Sequence, residues 1–281
     1  MAKAELRSGY TTGACAAAGV KAAFLFRAGE DWHEVELMAL DGTPLTIPVK
    51  AVEETPDGIR AEVVKFSGDD PDITNGASVF TTLTLRDDLS HIEFRAGEGV
   101  GTVTKRGMSL PVGEPSINKG PRELIRRVVE EMTGRADFGA VVTISIPAGV
   151  ELAKKTLNPV LGIEGGISVI GTTGVLRPMS EEAFKDSLVP QIDVALAAGL
   201  DTLVFVPGKI GERIALAIGV PQEAAVETSN FIGFMLDSAA ERGVKNVVIL
   251  GHTGKLVKIA AGVFHTHNRV ADARLETRRR G

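Results

Sequence analysis

From residue 156 to the end of the 281-residue chain, short apolar runs alternate with helical stretches, and this rhythm restricts the fold more than any other feature. Ile167–Ile170, Thr202–Val206 and Val247–Leu250 are short and rich in β-branched residues, which suits buried strands. Each ends in a glycine-bearing loop: Gly171-Thr-Thr-Gly174, Pro207-Gly208 through Gly211, and Gly251-His-Thr-Gly254. Helices are predicted over Ser180–Ala198, Glu223–Arg242 and Lys255–Ala261. Ser180 is the N-cap of the first, with Glu181 and Glu182 in its opening turn, and Gly243 stops the second. Strands that alternate with helices build a parallel sheet covered by helices, because parallel neighbours require a crossover.

The first half has another character. Ala14–Ala28 has a helical composition closed by Gly29, and Pro121–Thr133 reads as a helix with Pro at its first turn and Gly134 at its end. Trp32–Leu40 and Pro44–Val52 flank Asp41-Gly42, a hairpin signal. Ile59–Phe66, Ser78–Leu85 and Val141–Ile146 read as further strands. The expected class is α/β overall. An α+β domain with hairpins spans 1–155, and an α/β domain with a mainly parallel sheet spans 156–281, the break falling near Leu152–Gly162.

Charge and composition exclude several classes. A formal net charge of -5 argues against non-specific nucleic-acid binding, which needs a dominant basic surface. The single cysteine, Cys15, allows neither an intrachain disulfide nor a cysteine-rich metal cage and fits a reducing compartment. It reads as a small buried hydrophobe, although a place in the first turn of a helix would favour its thiolate. The N-terminus carries no apolar signal-peptide core, and the longest apolar runs are far too short to span a bilayer. A cytoplasmic protein is expected. The Arg278–Arg280 run reads as a disordered tail.

Ligands of an open parallel sheet bind beyond the carboxyl ends of its strands. Three glycine-bearing loops at one such edge form a candidate anion site, since glycine admits close backbone approach and a following helix N-terminus favours negative charge. Gly251–Lys255 is no P-loop, and no Gly-x-Gly-x-x-Gly follows a strand. Strand Thr202–Val206 ends in Pro207-Gly208 without an acidic residue. Asp69, Asp70 and Asp72 have oxygen-ligand character but not the spacing of a calcium loop, and an equally good reading is ligand hydrogen bonding or proton acceptance. His265 and His267 would share a face on a strand. With Asp272 they make a weak zinc candidate; as an acid–base or carboxylate-binding pair they fit better, beside an equal case for a structural pair. Lysines and arginines cluster at Lys105-Arg106, Lys119 with Arg122, Arg126-Arg127, Lys154-Lys155 and Lys255 with Lys258.

Several stretches, in order along the chain, carry a resemblance. They are Arg7-Ser-Gly-Tyr-Thr-Thr-Gly-Ala-Cys-Ala-Ala-Ala18, Gly68-Asp-Asp-Pro-Asp-Ile-Thr-Asn-Gly76, Gly97-Glu-Gly-Val-Gly-Thr-Val-Thr-Lys105 and Gly113-Glu-Pro-Ser-Ile-Asn118. Lys155-Thr-Leu-Asn-Pro159, Gly162 through Gly174 with Arg177-Pro-Met-Ser180, Ser229-Asn-Phe-Ile-Gly233, Gly251 through Lys258 and Phe264-His-Thr-His267 follow. The sequence resembles the CbiD family of cobalt-precorrin-5B C1-methyltransferases. Members of that family continue well past the His-Thr-His region, whereas this chain ends at Gly281, as a short or truncated member would.

The resemblance implies methyl transfer from S-adenosylmethionine to ring carbon 1 of a cobalt corrinoid, giving cobalt-precorrin-6A, on the anaerobic route to vitamin B12. Cobalt belongs to the substrate, so no protein metal is required. Gly171, Thr172, Thr173, Gly174, Gly208, Gly251, Thr253 and Gly254 are then the candidates for holding the methyl donor. Thr11, Thr12, Lys105, Lys155 and Lys255 are the candidates for the corrinoid, whose many carboxylates suit separate cationic contacts. His252, His265, His267, Asp70 and Asp72 are candidate bases, and the sequence does not choose among them. Lys255, beside the Gly251–Gly254 loop, is expected to hold a carboxylate of either ligand. A homo-oligomer and transfer of substrate to or from neighbouring pathway enzymes are compatible with this role. Two alternatives remain: a non-catalytic corrinoid carrier, and a phosphate-ester or nucleotide enzyme using Gly251–Lys255.

Overall fold

The structure, a computed structural model, describes residues 6–270. Asp272 and Arg278–Arg280 lie outside the described residues. The chain divides into two compact units, one running to Thr104 and resuming over Ser109–Met179, the other comprising Lys105–Met108 and the chain from Ser180 onward. The division therefore falls at Met179/Ser180 rather than at the expected 155/156. The cause is pairing: residues 163–176 are hydrogen-bonded to strands of the first unit, as described next.

The first unit contains β1 (Gly9–Tyr10), α1 (Thr12–Ala28), β2 (Glu34–Met38), β3 (Pro44–Pro48), β4 (Ala51–Thr55), β5 (Gly58–Val64), β6 (Ser78–Leu85) and β7 (Ile92–Ala96). There follow β8 (Gly99–Val100), β9 (Thr102–Val103), α2 (Lys119–Thr133), β10 (Ala140–Ser145), α3 (Gly149–Ala153), α4 (Asn158–Leu161), β11 (Ile163–Glu164), β12 (Gly166–Ile167) and β13 (Val175–Leu176). Its main sheet has the order β4-β5-β6-β10-β7, antiparallel except for the β10–β7 pair. β2 and β3 form the hairpin that Asp41-Gly42 signals, with Ala39 N–H donating to Thr43 O at 2.9 Å.

α1 is the core of this unit. Its residues from Thr12 to Val20 are all buried, as a helix apolar on every side must be. The small side chains let it lie tightly on β5 and β6: a Cβ on Gly19 would stand 2.9 Å from the Thr81 side chain, and Thr81 Oγ1 donates to Ala16 O at 3.3 Å. α2 closes the other side with Leu124, Ile125, Val128 and Val129. The expected strand Ile167–Ile170 is reduced to β12, and it pairs with β8 in this unit rather than joining a sheet in the second half.

The second unit contains α5 (Glu181–Leu188), α6 (Pro190–Ala197), β14 (Thr202–Val206), α7 (Lys209–Ala217), β15 (Ala225–Glu227), α8 (Ile232–Glu241), β16 (Asn246–Ile249) and α9 (Thr253–Ala260). The predicted helix 180–198 is two helices. Pro190 lacks the N–H that an unbroken helix would use, while Ser180 caps the first as expected, accepting from Ala183 N–H at 3.1 Å. The predicted helix 223–242 is also corrected: Gln222–Ala224 is a 3-10 turn, β15 follows, and only Ile232–Glu241 is α-helical. β15 exists because β14 lies beside it in parallel, pairing Val204 with Ala225 and Val206 with Glu227. The sheet order is β15-β14-β16, parallel throughout, as the alternating rhythm requires.

Candidate functional site

In the order β15-β14-β16, the chain leaves β14 through α7 toward β15 and later returns to the opposite side of β14 as β16. The loops after β14 and β16 therefore diverge, which is the topological switch point where doubly wound sheets bind ligands. A cavity of about 460 Å³ lies there. Pro207, Gly208, Lys209, Ile210 and Gly211 line it from the first loop, and Gly251, His252, Gly254, Lys255 and Lys258 from the second. Asn230, Thr266, His267 and Asn268 complete the wall.

Two glycines make the loops fit. A Cβ on Gly211 would stand 2.4 Å from Leu250 O, and one on Gly251 would stand 2.9 Å from Pro207 Cγ. Glycine at both positions allows α7 to start against the end of β16.

The cavity is electropositive. Its charged lining residues are Lys209, Lys255 and Lys258, with no aspartate or glutamate. Lys258 is 1% exposed, and its Nζ donates to two neutral acceptors, Thr266 O at 2.9 Å and Asn268 Oδ1 at 2.7 Å. Lys255 is half-buried and donates to Pro207 O and to Ser229 O. Burial lowers its pKa from the ordinary lysine value; the charge of Glu227 works the other way, and that of Lys258 lowers it further. α7 and α9 both begin at the cavity, so their free N–H groups add to the positive field. This chemistry suits an anionic ligand group.

The candidate histidines differ from one another. His252 caps α9, its Nδ1 accepting from Gly254 N–H at 3.1 Å; His267 Nδ1 accepts from Arg269 N–H at 3.2 Å. A backbone amide always donates, so the neutral form of each ring carries its proton on Nε2 and offers a donor. His265 and His267 do not share a strand; His265 makes only an isolated bridge with Phe231. The His265 ring stands edge-on to Phe231 with centroids 5.1 Å apart, and Nε2 lies 3.8 Å from Glu181 Oε1. Its Nδ1 is buried and has no hydrogen-bond partner.

Other candidates are engaged within the fold. Asp72 Oδ2 accepts from Lys65 Nζ at 2.6 Å, and Oδ1 accepts from the Thr74 N–H and hydroxyl. Burial alone would raise the Asp72 pKa, but Lys65 and the Thr74 N–H outweigh it and hold the carboxyl below its usual range. Asp69 pairs with Arg7 at 2.8 Å, and Asp70 accepts from Met179 N–H at 2.8 Å. Among the described residues no group of three or more His, Cys, Asp or Glu is placed to hold a metal ion. Lys105 pairs with Glu223 at 3.1 Å, and Lys155 is exposed beyond α3.

The third glycine loop is a correction. Gly171, Thr172, Thr173 and Gly174 belong to the first unit, on the start of α1, not to the edge of the parallel sheet. Ile170 N–H donates to Thr12 Oγ1 at 2.9 Å, Gly13 N–H to Ile170 O at 3.0 Å, and Thr11 N–H to Gly174 O at 2.9 Å. The Thr11 hydroxyl caps α1 by accepting from Ala14 N–H. Both threonines are thus spent on this junction. Gly208, Gly251, Thr253 and Gly254 are brought together at α7 and α9.

One residue was missed by the sequence reading. Glu227 closes β15, the second strand of this sheet, in register with Val206. The helix predicted over Glu223–Arg242 hides it, since residues 225–227 form a strand.

The CbiD family model matches residues 1–178. A cobalt-precorrin-5B C(1)-methyltransferase of Moorella thermoacetica is 50% identical over 277 residues, covering 97% of this chain and 74% of the relative. One of Methanocaldococcus jannaschii is 48% identical over 270 residues, covering 95% and 74%. The crystal structure of a cobalamin biosynthesis protein (cbiD) from Archaeoglobus fulgidus superposes with a TM-score of 0.50 at 27% identity, covering 96% of this chain and 84% of that one.

Proposed function

The chain belongs to the CbiD family, and from that premise we propose that it methylates carbon 1 of cobalt-precorrin-5B, a step in cobalamin biosynthesis, with S-adenosylmethionine as the methyl donor. The observation that carries the reading is the identity to named C1-methyltransferases across 95–97% of the chain, which takes in the cavity loops as well as the first unit. The lone, buried thiol of Cys15 supports a cytoplasmic setting.

The donor, when bound, supplies an electrophilic methyl group on a sulfonium. Its other end is a carboxylate, and the cavity fits that end: Lys255 and Lys258 provide charge, and the starts of α7 and α9 provide N–H groups. Holding donor and corrinoid in line lowers the barrier by removing the entropy of their encounter, worth up to about 7–11 kcal/mol. His252 and His267, as Nε2–H donors, hold ligand oxygens.

The test is anaerobic incubation with cobalt-precorrin-5B and methyl-labelled S-adenosylmethionine, followed by NMR of the product. Label is expected at ring carbon 1. Label at another carbon sinks the regiochemistry, and a bound but unlabelled corrinoid leaves a carrier.

A further inference from the structure

The cavity at the switch point offers donors almost everywhere: three lysines, two histidines in their Nε2–H forms, and the starts of two helices. An adenosyl ligand needs more than that. Its ribose carries hydroxyls that donate, and the acceptor side chains of the wall are neutral, with Asn268 Oδ1 already taken by Lys258 and Asn230 Oδ1 by the Thr266 hydroxyl.

Glu227 is the acid placed to accept. The register pairs it with Val206, the residue before Pro207-Gly208, so it ends its strand beside the first cavity loop. It follows Gly208 by 19 residues. In doubly wound sheets an acid about 20 residues beyond the glycine loop, at the end of the next strand, takes the ribose hydroxyl. The position is fixed through the backbone: Gln191, 3% exposed, accepts from Glu227 N–H through Oε1 at 2.9 Å and donates through Nε2 to Glu227 O at 3.1 Å. The side chain is left to Lys209, whose Nζ lies 3.0 Å from Oε2 and is itself 70% exposed. The Glu227 side chain is only 24% exposed, but the lysine that holds it stands in solvent, so the pair is screened on that side and yields to a ligand.

Resting on the reading of S-adenosylmethionine as the donor, we infer that Glu227 accepts the ribose hydroxyls of the adenosyl ligand. The ligand then lies across the end of the sheet, ribose at β15 and carboxylate toward Lys255 and Lys258.

The test is calorimetric titration of S-adenosylhomocysteine, and of its 2′-deoxy and 3′-deoxy analogues, into the wild-type chain, Glu227→Ala and Lys209→Ala. Glu227→Ala is expected to weaken S-adenosylhomocysteine tenfold or more, as loss of a charge-assisted hydrogen bond does. The wild type should discriminate against at least one deoxy analogue by a similar factor, and Glu227→Ala should bind the parent and that analogue alike. Lys209→Ala should keep the discrimination, since it removes the ion pair and not the acceptor. Equal affinity of wild type and Glu227→Ala, an analogue penalty that persists in Glu227→Ala, or its loss in Lys209→Ala overturns the assignment while leaving the donor reading intact. A wild-type chain that binds no S-adenosylhomocysteine overturns the donor reading itself, and this inference with it.

Discussion

Asp72 Oδ2 accepts a 2.6 Å hydrogen bond from Lys65 Nζ, and the Lys65 side chain is 2% exposed. Ser67 Oγ is a further acceptor for the same ammonium, at 2.7 Å. Of the acidic stretch 69–72, Asp72 neutralises a buried cation, while Asp69 pairs with Arg7 and Asp70 accepts from Met179 N–H. Asp72→Asn strips the buried ammonium of its counter-charge and is expected to destabilise the fold by about 3–5 kcal/mol. Chemical denaturation measures it; a change within a few tenths of a kcal/mol would remove the pair from the account. The pH dependence has a definite sign. The folded Asp72 pKa lies below the unfolded value, so the pair's contribution is present above about pH 4 and is lost as pH falls through the folded pKa.

Cys15 is fully buried in α1, and burial pushes its thiol pKa up to about 12. The helix start does not activate it. Native protein at pH 8 is expected to resist a chromogenic disulfide reagent that titrates one thiol after unfolding. Rapid labelling of the native state would contradict this. Cys15→Ala should cost little stability, and Cys15→Ser more, because a buried hydroxyl needs a partner.

Gly208 and Gly211 stand three residues apart and should respond differently to alanine. At Gly211 the added Cβ meets Leu250 O at 2.4 Å, so backbone must move and about 1–3 kcal/mol of stability is expected to go. At Gly208 the chain is extended, and the nearest atom to a new Cβ is Lys255 Nζ at 3.8 Å. Gly208→Ala should fold with nearly wild-type stability. Equal melting losses in the two variants would show that the close approach of α7 to the end of β16 is not what Gly211 serves.

Elements whose cause is local were legible. β14 and β6 begin and end where alternation and β-branching placed them, the Asp41-Gly42 hairpin formed, and Ser180 caps its helix. Elements whose cause is distant were not. β15 has three residues, too few for any periodicity, and exists through pairing with β14. The Gly171–Gly174 loop looks like its two counterparts in sequence, yet Thr12 reaches across 158 positions to claim it for the first unit. The site followed the same division. Glycines, lysines and histidines at strand ends could be named, whereas Glu227 was hidden by the misread strand. The engagement of Asp72 with Lys65 was also out of view, since nothing in a run of acids says which cation will be buried beside it.

Lys255 offers the most direct test of the cavity. Its pKa is lowered first by burial and further by the charge of Lys258, while Glu227 acts against them. An unfolded lysine holds its proton to about pH 10.4, so between the folded pKa and that value the unfolded chain carries more protons, and stability rises with pH. A bound carboxylate reverses the local balance by favouring the ammonium. Binding should therefore take up a proton, and affinity for S-adenosylhomocysteine should fall as pH rises through the folded pKa. Lys255→Met should flatten that limb; Lys255→Ala should weaken binding by about 1.5–3 kcal/mol, the usual worth of a hydrogen bond to a charged group. Lys255→Arg should recover only part, since a planar guanidinium does not fill the place of a compact ammonium held by Pro207 O and Ser229 O. Titrations in buffers of different ionisation enthalpy count the protons directly. Because the ligand's own amine titrates nearby, the decisive quantity is the difference between wild type and Lys255→Met. Identical proton uptake and affinity in the two would place the carboxylate elsewhere and leave Lys255 as a tie between the ends of β14 and β15.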